Sequence, residues 1–334
     1  NSCIYMTPRA IKRTSTLLAS LLYLSPYSVN SIHSEAEPSP LVSKYVIVKY
    51  GGSAITHKGK LETVHEDNLD STACQVQSVL QQHDSPHIAI VHGAGSFGHF
   101  QAHKYGLKSG GGGDWVEGLC MTRQSVLKLN TLVTDSHIRK GVPAVSVSLF
   151  PTAICNDGAL IAPGSMAMVK SLLSLGIIPV LHGDVLLDTR QKCLIYSGDR
   201  ILHWVIKELA NGNPTASNVR AVFLTDVAGV YDRPPGVQND ETGMPNERPS
   251  LIKEIFVTNS GKILSAVDTS SHMHEHDVTG GMGAKIRCAA DIARDTGSEV
   301  FIVQAGTDHA LVALSGRACD SSKGFVGTKV SRLY

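Results

Sequence analysis

From Lys44 onward the sequence alternates short β-branched, apolar runs with longer segments whose apolar residues recur at helical spacing. The short runs have the length and composition of buried strands: Tyr45–Lys49, His87–Val91, Ala144–Val147, Ile178–Leu181, Ala221–Leu224 and Glu299–Val303. Strands that alternate with helices form βαβ units, because two parallel strands need a crossover connection. We therefore predict an α/β fold, a three-layer αβα sandwich with a mainly parallel central sheet.

Residues 1–43 differ in composition from the rest of the chain. They are basic and rich in Ser and Thr at first, continue with the short apolar run Leu17–Leu24, and end with Pro and Glu. Three interpretations fit this pattern: an organellar transit peptide, a secretory signal, or a disordered extension that includes translated sequence upstream of the true start. We leave this segment out of the fold and predict a folded domain at residues 44–331.

The charge and the cysteine content of the chain limit which binding partners and which cellular compartment we expect for the protein. The chain has 30 Lys and Arg against 29 Asp and Glu, so it lacks the basic excess of a nucleic-acid-binding protein. The seven cysteines are never spaced as CxxC, which argues against a disulfide framework or a structural zinc site. No apolar run reaches the roughly 18 residues of a membrane span. We expect a cytoplasmic protein, with organellar targeting by residues 1–43 as the alternative.

The 31 glycines fall in clusters, and most clusters directly follow a predicted strand. In parallel sheets ligands bind at the carboxyl ends of strands, so these clusters indicate a binding site. The first cluster is Lys49-Tyr50-Gly51-Gly52-Ser53. Paired glycines let backbone amides approach an anion closely, and the lysine adds a charge that reaches a phosphate oxygen. An ordinary strand-to-turn connection would explain the same glycines without a ligand.

The second cluster, His92–His99, reads HGAGSFGH and matches the G-x-G-x-x-G pattern of dinucleotide sites. We reject that interpretation, because the acidic residue at the expected distance, Glu117, follows a polyglycine run and does not end a second strand. A glycine-rich start of a helix still suits a phosphate group. His99 is therefore either an ordinary surface or capping histidine or a hydrogen-bond donor to a bound phosphate.

Further glycine clusters occur at Leu181–Asp184, Tyr196–Arg200, Phe223–Tyr231 and Asp277–Lys285. Asp199 opens a predicted helix, so it is either an N-cap or a carboxylate that orients lysine side chains. Lys285 lies in the first turns of another predicted helix. Two lysines on separate glycine-rich loops, Lys49 and Lys285, suit phosphoryl transfer, which depends chiefly on positioning and electrostatic stabilisation.

Together these motifs resemble the amino acid kinase superfamily, and more closely the isopentenyl phosphate kinases of the plant type. The resemblance covers about residues 44–331 and includes the SGD, LTDVAGVYDRPP and DVTGGMGAK segments and the closing Phe325-Val326-Gly327-Thr328. SFGH with its terminal His99, and TGGM followed by Lys285, distinguish this family from acetylglutamate and uridylate kinases. The resemblance implies ATP-dependent phosphorylation of isopentenyl phosphate to isopentenyl diphosphate for isoprenoid biosynthesis. It also implies Mg²⁺ held largely by nucleotide oxygens, no metal-binding carboxylate cluster, and a homodimer.

The resemblance further implies roles for the matching residues. The catalytic residues would be Lys49, His99, Lys285 and Asp199, which would orient the lysines. ATP would be bound by Lys49, Gly51, Gly52, Ser53, Lys58, Gly95, Asp226, Gly281 and Lys285. Isopentenyl phosphate, or dimethylallyl phosphate as an alternative substrate, would contact Ala94, His99 and Gly198. The acceptor lobe would span about residues 44–200 and the nucleotide lobe about 201–331.

Two departures from the family pattern concern the acceptor side. Ala94 stands where relatives commonly have a third glycine, and we interpret it as tolerable because backbone geometry can survive the methyl group. Ser109–Trp115 is a polyglycine run where relatives have a more varied loop. For the prenyl tail pocket, Leu119, Met121 and Val126 are candidates, although apolar residues at helical spacing also form ordinary core.

Between Asp232 and Asp277 the chain is polar and rich in Pro and Gly, which predicts a hairpin excursion. The tract His272–His276 alternates three histidines and is either a zinc-ligating strand face or a variable surface strand. Two alternative functions stay open: another small-molecule kinase of the superfamily, or a catalytically silent ligand-binding regulator with the same fold.

Overall fold

The computed structural model of the chain describes residues 43–107, 113–161, 165–210, 218–232, 249–265 and 281–333. All of them belong to one unit, Ser39–Tyr334. Apart from Ser43, the predicted N-terminal extension lies outside the described residues. The His272–His276 tract and most of the polyglycine run also lie outside them.

The strands found in the described residues are β1 (Tyr45–Tyr50), β2 (His87–His92), β3 (Ala144–Ser146), β4 (Ile154–Asn156), β5 (Ala159–Ile161), β6 (Ile178–His182), β7 (Asp184–Asp188), β8 (Lys192–Tyr196), β9 (Val219–Thr225), β10 (Val230–Tyr231), β11 (Leu251–Ile252), β12 (Glu254–Val257), β13 (Ile263–Ser265), β14 (Glu299–Gln304) and β15 (Thr328–Arg332). Each of the six predicted strand segments is present, with boundaries that shift by one or two residues.

The helices found there are α1 (Gly52–Ile55), α2 (Glu66–Leu80), α3 (Gly95–Lys104), α4 (Trp115–Arg139), α5 (Ser165–Ser174), α6 (Gly198–Leu209), α7 (Gly281–Thr296) and α8 (Asp308–Leu314). In the described part of the chain, none of these helices combines the length and the hydrophobicity that crossing a membrane requires.

The central sheet has nine strands in the order β13-β12-β15-β14-β9-β1-β2-β6-β3. The strands from β14 to β3 are all parallel to their neighbours, and the antiparallel pairs are β14 with β15 and β12 with β13. In the middle, Tyr45 of β1 is in register with His87 of β2 on one side and Val219 of β9 on the other. The predicted, mainly parallel sheet is confirmed.

Helices cover both faces of this sheet, which confirms the three-layer architecture. In β1, Ile47 packs into one core, whereas Val46, Val48 and Tyr50 pack into the other. The Ile47 side is covered by α5, α6 and α7, and the opposite side by α2, α4 and α8. Because successive residues of a strand point to opposite faces, β1 contributes to two cores at once.

The sequence predicted the hairpin of the fold but did not predict its second sheet. The hairpin expected between Asp232 and Asp277 is present in the described residues as the antiparallel pair of β12 and β13. A separate sheet in the order β5-β4-β7-β8 was not predicted. Its strands have only three to five residues, too few to give a clear alternation of apolar and polar positions.

Candidate active site

The lysine that ends the first strand is buried and paired with a carboxylate. Lys49 Nζ lies 2.8 Å from Oδ1 of Asp199, and the two side chains are 7% and 26% exposed. The ammonium group also lies 5.6 Å from the centre of the Phe223 ring on β9. A buried charge needs a partner of opposite sign, and Asp199 provides it from the first turn of α6.

The structure distinguishes the two interpretations of Asp199. The N-cap of α6 is Ser197, whose side-chain oxygen accepts a hydrogen bond from the backbone N–H of Arg200 at 3.4 Å. Asp199 is the second residue of the helix, and its carboxylate pairs with Lys49. The geometry is that of a carboxylate that orients a lysine.

The glycine-rich loops after β1 and β2 touch each other. A Cβ atom on Gly52 would lie 2.7 Å from the backbone nitrogen and Cα of Gly95, and one on Gly93 would lie 3.0 Å from the backbone nitrogen of Gly52. Gly95 also has a φ of +49°, a conformation that other residues rarely adopt. The loops can approach this closely only without side chains. Ser53, the next residue of α1, is partly buried beside them.

The same contact zone continues to the loop after β6 and the start of α6. A Cβ atom on Gly183 would lie 2.9 Å from the backbone nitrogen of Gly198. A Cβ atom on Gly198 would in turn lie 3.0 Å from the carbonyl oxygen of His92. Four of the predicted glycine clusters therefore form one continuous backbone surface at the carboxyl ends of the strands. Helix starts on such a surface favour anions, because their amide groups have no carbonyl partner within the helix.

Lys285 reaches this zone from α7. Its Cε lies 3.9 Å from the position that a Cβ on Gly51 would take, and its Nζ lies 3.9 Å from the corresponding position on Gly281. The first loop and the start of α7 are therefore adjacent, as the resemblance implied. Gly281 is exposed and begins the helix.

The charges around Lys285 identify its neighbours. Burial lowers the pKa of Lys285 below that of an ordinary lysine, and the positive charge of Lys49 acts in the same direction. The carboxylates of Asp226 and Asp199 oppose this change in pKa, and Lys58 adds to it. These residues come from distant parts of the sequence, so the fold collects three cations and two carboxylates within electrostatic reach of one another. Such an excess of positive charge suits a polyphosphate ligand.

The outer residues of the predicted site are more exposed. Lys58 follows α1 in a turn whose ends are bridged between Thr56 and Val64. Asp226 follows β9 and is exposed. Both residues are exposed, and the charges of both act on Lys285.

His99 and Ala94 belong to the start of α3. His99 is exposed in the second turn of the helix. Ala94 directly precedes α3 in helical conformation, and its methyl group occupies the space that a Cβ on Gly98 would need. The extra methyl group at position 94 is therefore accommodated against a glycine.

The three candidates for the tail pocket lie in different environments. Val126 is fully buried in α4, Leu119 packs against a small core that includes Ala102 and Leu107, and Met121 is exposed. The three side chains do not share one environment, so a single pocket formed by all of them is not indicated.

Sequence reasoning did not identify a pair of buried histidines under the site. His92 and His182 end β2 and β6, are in register, and have ring centres 5.7 Å apart. Burial lowers the pKa of His92 to about 3, so the ring is neutral. Its Nε2 lies 3.1 Å from the side-chain amide of Asn130 on α4, which is the geometry of an acceptor to that amide. The repeated His-Gly ending of the two strands was the available signal.

A second unpredicted contact joins α6 to α7. The Cys288 thiol of α7 donates to the carbonyl oxygen of Asp199 at 3.4 Å. Burial raises the pKa of Cys288, so the thiol stays neutral. The contact links the helix that provides Asp199 to the helix that provides Lys285.

Comparisons with known proteins show the family of the chain. The family model of the amino acid kinase family matches residues 44–304. An isopentenyl phosphate kinase of Arabidopsis thaliana is 35% identical over 319 residues, covering 82% of this chain and 91% of that protein. An isopentenyl phosphate kinase of Methanothermobacter thermautotrophicus is 33% identical, covering 72% of this chain and 84% of that protein.

Among solved structures, an X-ray structure of an isopentenyl phosphate kinase superimposes with a TM-score of 0.61 and 28% identity. The alignment covers 85% of this chain and 99% of that chain. The product complex of the Thermoplasma acidophilum isopentenyl phosphate kinase, at a TM-score of 0.61 and 24% identity, shows the same fold over 86% of this chain and 99% of that chain. The chain therefore belongs to the amino acid kinase family and is a kinase of its isopentenyl phosphate kinase branch.

Proposed function

We propose that this kinase transfers the γ-phosphoryl group of ATP to isopentenyl phosphate, which yields isopentenyl diphosphate and ADP for isoprenoid biosynthesis. The observation that carries the proposal is the buried Lys49–Asp199 pair next to the point where the glycine loops after β1 and β2 meet. The ammonium group of Lys49 and the backbone amides of these two loops can together bind a phosphoryl group that is transferred from a donor to an acceptor. The relatives at 35% and 33% identity support the choice of acceptor.

We assign the donor to the side formed by the loop after β1 and the start of α7, with Asp226, Gly281 and Lys285 in the proposed nucleotide lobe, residues 201–331. The phosphates of ATP would contact the loop after β1 at Gly51, Gly52 and Ser53. They would also contact the start of α7 at Gly281 and Lys285. The exposed Lys58 and Asp226 would meet the outer part of the nucleotide. The three cations Lys49, Lys58 and Lys285, which lie within electrostatic reach of one another, suit the phosphates of ATP.

We assign the acceptor to the side formed by the start of α3 and the start of α6, within residues 44–200. The backbone at Ala94 and Gly198 would bind the phosphate of isopentenyl phosphate, and His99 would donate a hydrogen bond to it, whereas the adjacent Gly95 would contact ATP. Helix starts and histidine suit a phosphate acceptor, because they offer N–H groups to negatively charged oxygens.

Transfer breaks the bond between the γ-phosphorus and the bridging oxygen of ATP and forms a bond to an oxygen of the acceptor phosphate. No strong general base is needed, because a phosphate monoester already presents an ionised oxygen. Lys49 would lie at the transferring group, held there by Asp199. Its charge and that of Lys285 reduce the repulsion between two anions and stabilise the in-line transition state.

We propose Mg²⁺ as the metal cofactor, bound largely by phosphate oxygens of the nucleotide. In the described residues, no three His, Cys, Asp or Glu side chains are grouped so that they could hold a metal ion. The carboxylate nearest the site centre, Asp199, is paired with Lys49. When bound, Mg²⁺ neutralises charge on the transferred group.

ADP release by the purified full chain tests the function against its alternatives. The panel contains isopentenyl phosphate, dimethylallyl phosphate, acylated amino acids and nucleoside monophosphates, each with ATP and Mg²⁺. We expect the highest kcat/KM with isopentenyl phosphate. Turnover of an acylated amino acid or a nucleoside monophosphate but not of isopentenyl phosphate would assign a different small-molecule kinase. ATP binding without turnover of any compound would indicate a silent regulator.

We also propose a homodimer, as the resemblance implies. Strand β3 ends the nine-stranded sheet, and its residue Val145 is exposed. Leu127 and Ile138 of the adjacent α4 are apolar and exposed as well. A strand edge that has no partner strand among the described residues, near exposed apolar side chains, suits pairing with a second copy. Light scattering should give twice the chain mass of 35.6 kDa, and a single-chain mass would contradict the proposal.

A further inference from the structure

Thr56 occupies the space between the two glycine loops. It directly follows α1, is 1% exposed, and has an extended backbone. Its side-chain hydroxyl donates to the carbonyl oxygen of Gly52 at 2.7 Å and accepts from the backbone N–H of Ser96 at 3.0 Å. Gly52 belongs to the loop after β1, and Ser96 to the first turn of α3. A single oxygen atom therefore connects the two loops.

The start of α3 depends on this contact. The residue that precedes the helix, Ala94, provides no side-chain cap. The first turn of a helix leaves amide groups without carbonyl partners within the helix, and Thr56 supplies the missing acceptor for Ser96. The cap of α3 thus comes from the opposite loop, 40 residues earlier in the chain.

The packing around the hydroxyl leaves no space for an alternative arrangement. A Cβ atom on Gly95 would overlap the Oγ1 atom of Thr56, and one on Gly52 would overlap the backbone of Gly95. Gly52, Thr56 and Gly95 therefore interlock. Removing the hydroxyl would leave the loops in contact but would release the fixed distance between them.

We propose that Thr56 is a positioning residue for phosphoryl transfer, which sets the separation between the donor loop and the acceptor loop. The inference rests on the proposed function, in which the donor phosphates lie on the Gly51–Ser53 loop and the acceptor phosphate lies at the start of α3. Thr56 acts through these loops and touches neither substrate. Phosphoryl transfer is sensitive to such a residue, because a displacement of about 1 Å between reacting groups can cost about 100-fold in rate.

Thr56→Val tests the proposal, because valine is close to threonine in shape and replaces the hydroxyl with a methyl group that forms no hydrogen bond. The backbone of Thr56 stays anchored, since its N–H donates to the carbonyl of Gly52 at 2.9 Å and the residue is bridged to Val64. Valine also favours the extended conformation found here. We expect kcat to fall about 10- to 100-fold, while KM for ATP and for isopentenyl phosphate changes less than about 3-fold.

Thr56→Ser separates the hydroxyl from the methyl group. Serine keeps the oxygen, so we expect its kcat to stay within about 3-fold of the wild-type value. Thr56→Ala removes both groups and should resemble valine. If the valine variant does not fold, the comparison of serine with alanine decides the question, because both are smaller than threonine.

Thr296→Val is the matched control. The Thr296 hydroxyl is also fully buried, donates to the carbonyl of Ile292 at 2.7 Å and accepts from the N–H of Ser298 at 3.2 Å. It lies at the far end of α7, about 16 Å along the helix from Lys285. The control should lose thermal stability to a similar extent as Thr56→Val while its kcat stays unchanged.

Three results would overturn the positioning role. They are a wild-type kcat in Thr56→Val, an equal loss of kcat in the serine and valine variants, or an equal loss of kcat in Thr296→Val. Absence of ADP release from the wild-type chain with isopentenyl phosphate would instead contradict the proposed function.

Discussion

Two buried cations on neighbouring strands illustrate how the same kind of residue serves different purposes. Lys49 lies near the carboxyl end of β1 and Arg220 near the amino end of β9, so they occupy opposite ends of adjacent parallel strands. Each lies over an aromatic ring, Phe223 for the lysine and Phe301 for the arginine. The difference lies in their hydrogen-bond partners.

Arg220 binds groups of its own protein through both terminal nitrogens of its guanidinium. Its guanidinium donates to the carbonyl oxygens of Ala313 and Arg317 at 3.3 and 2.6 Å and pairs with Glu299 at 3.3 Å. For Lys49, the ion pair found within the described ranges is the one with the partly exposed Asp199. An ammonium group has three N–H donors, so Lys49 keeps donors for a ligand. The terminal nitrogens of Arg220 instead donate to groups of the protein itself.

The largest expected effect is on stability, in Arg220→Met. Methionine keeps the apolar stem but leaves the carbonyl groups of Ala313 and Arg317 without their donor, while Glu299 keeps its ion pair with Lys329, so we expect the free energy of unfolding to fall by about 3–5 kcal/mol. Chemical denaturation followed by circular dichroism measures this. Arg294→Met, which removes two partly exposed ion pairs, with Asp291 and with Asp295, should cost less, about 1 kcal/mol. A loss of kcat in folded Arg220→Met would contradict its purely structural role.

Next in size is the effect of Lys49→Ala on catalysis. Loss of a well-placed cation at the transferring group should lower kcat/KM at least about 100-fold, or about 2.7 kcal/mol, without unfolding the protein. ADP release and a thermal melt on the same sample measure both quantities. Lys44→Ala, which removes an exposed lysine beside the other end of β1, should leave activity unchanged. If Lys49→Ala lost stability but kept its activity, Lys49 would resemble Arg220.

His99→Ala extends the comparison to the acceptor side. We expect activity at least about 100-fold lower, because the acceptor phosphate would lose its histidine donor. His103→Ala provides a matched control, since His103 is an exposed histidine one turn further along α3. Near-normal turnover by purified His99→Ala would remove His99 from the site.

The smallest effect concerns pH. Burial and the charge of Lys49 lower the pKa of Lys285, so its positive charge is lost at a lower pH than that of an ordinary lysine. We therefore expect kcat/KM for ATP to decline as the pH rises through this pKa. Asp226 opposes the change in pKa, so Asp226→Asn should move the decline to lower pH.

Lys285→Arg is the control for the pH profile. Arginine keeps its charge over the accessible range, so this decline should disappear in the variant. An unchanged pH profile in Asp226→Asn and in Lys285→Arg would show that another group controls the alkaline limb.

Much of the fold and part of the site could be predicted from local patterns. The β-branched run Val46–Val48 predicted β1, and the glycines that follow it predicted a loop free of side chains. Lys49 was found because it ends that strand. Its pairing with Asp199 came from a family resemblance, since 150 residues separate the two. The sequence left two roles open for Asp199, an N-cap or a carboxylate that orients lysine side chains, because aspartate is a favourable capping residue.

The remaining features depend on register and long-range contact, which local patterns do not contain. Thr56 is unremarkable in sequence, and its role follows from contacts with Gly52 and with Ser96, which belongs to another loop. The stacking of His92 on His182 requires that β2 and β6 pair in one particular register. Both are properties of tertiary packing.

The division of β1 between two cores has a consequence for the placement of charge. Lys49 follows Ile47 on the face covered by α6 and α7, the helices that provide Asp199 and Lys285. A one-residue slip of β1 would turn Lys49 toward α2 and α4 and bring an apolar side chain to Asp199. Side chains at alternate positions of the six-residue strand β1 face opposite helical layers. The position of Lys49 in this alternation thus determines that its charge faces the layer that contains α6 and α7.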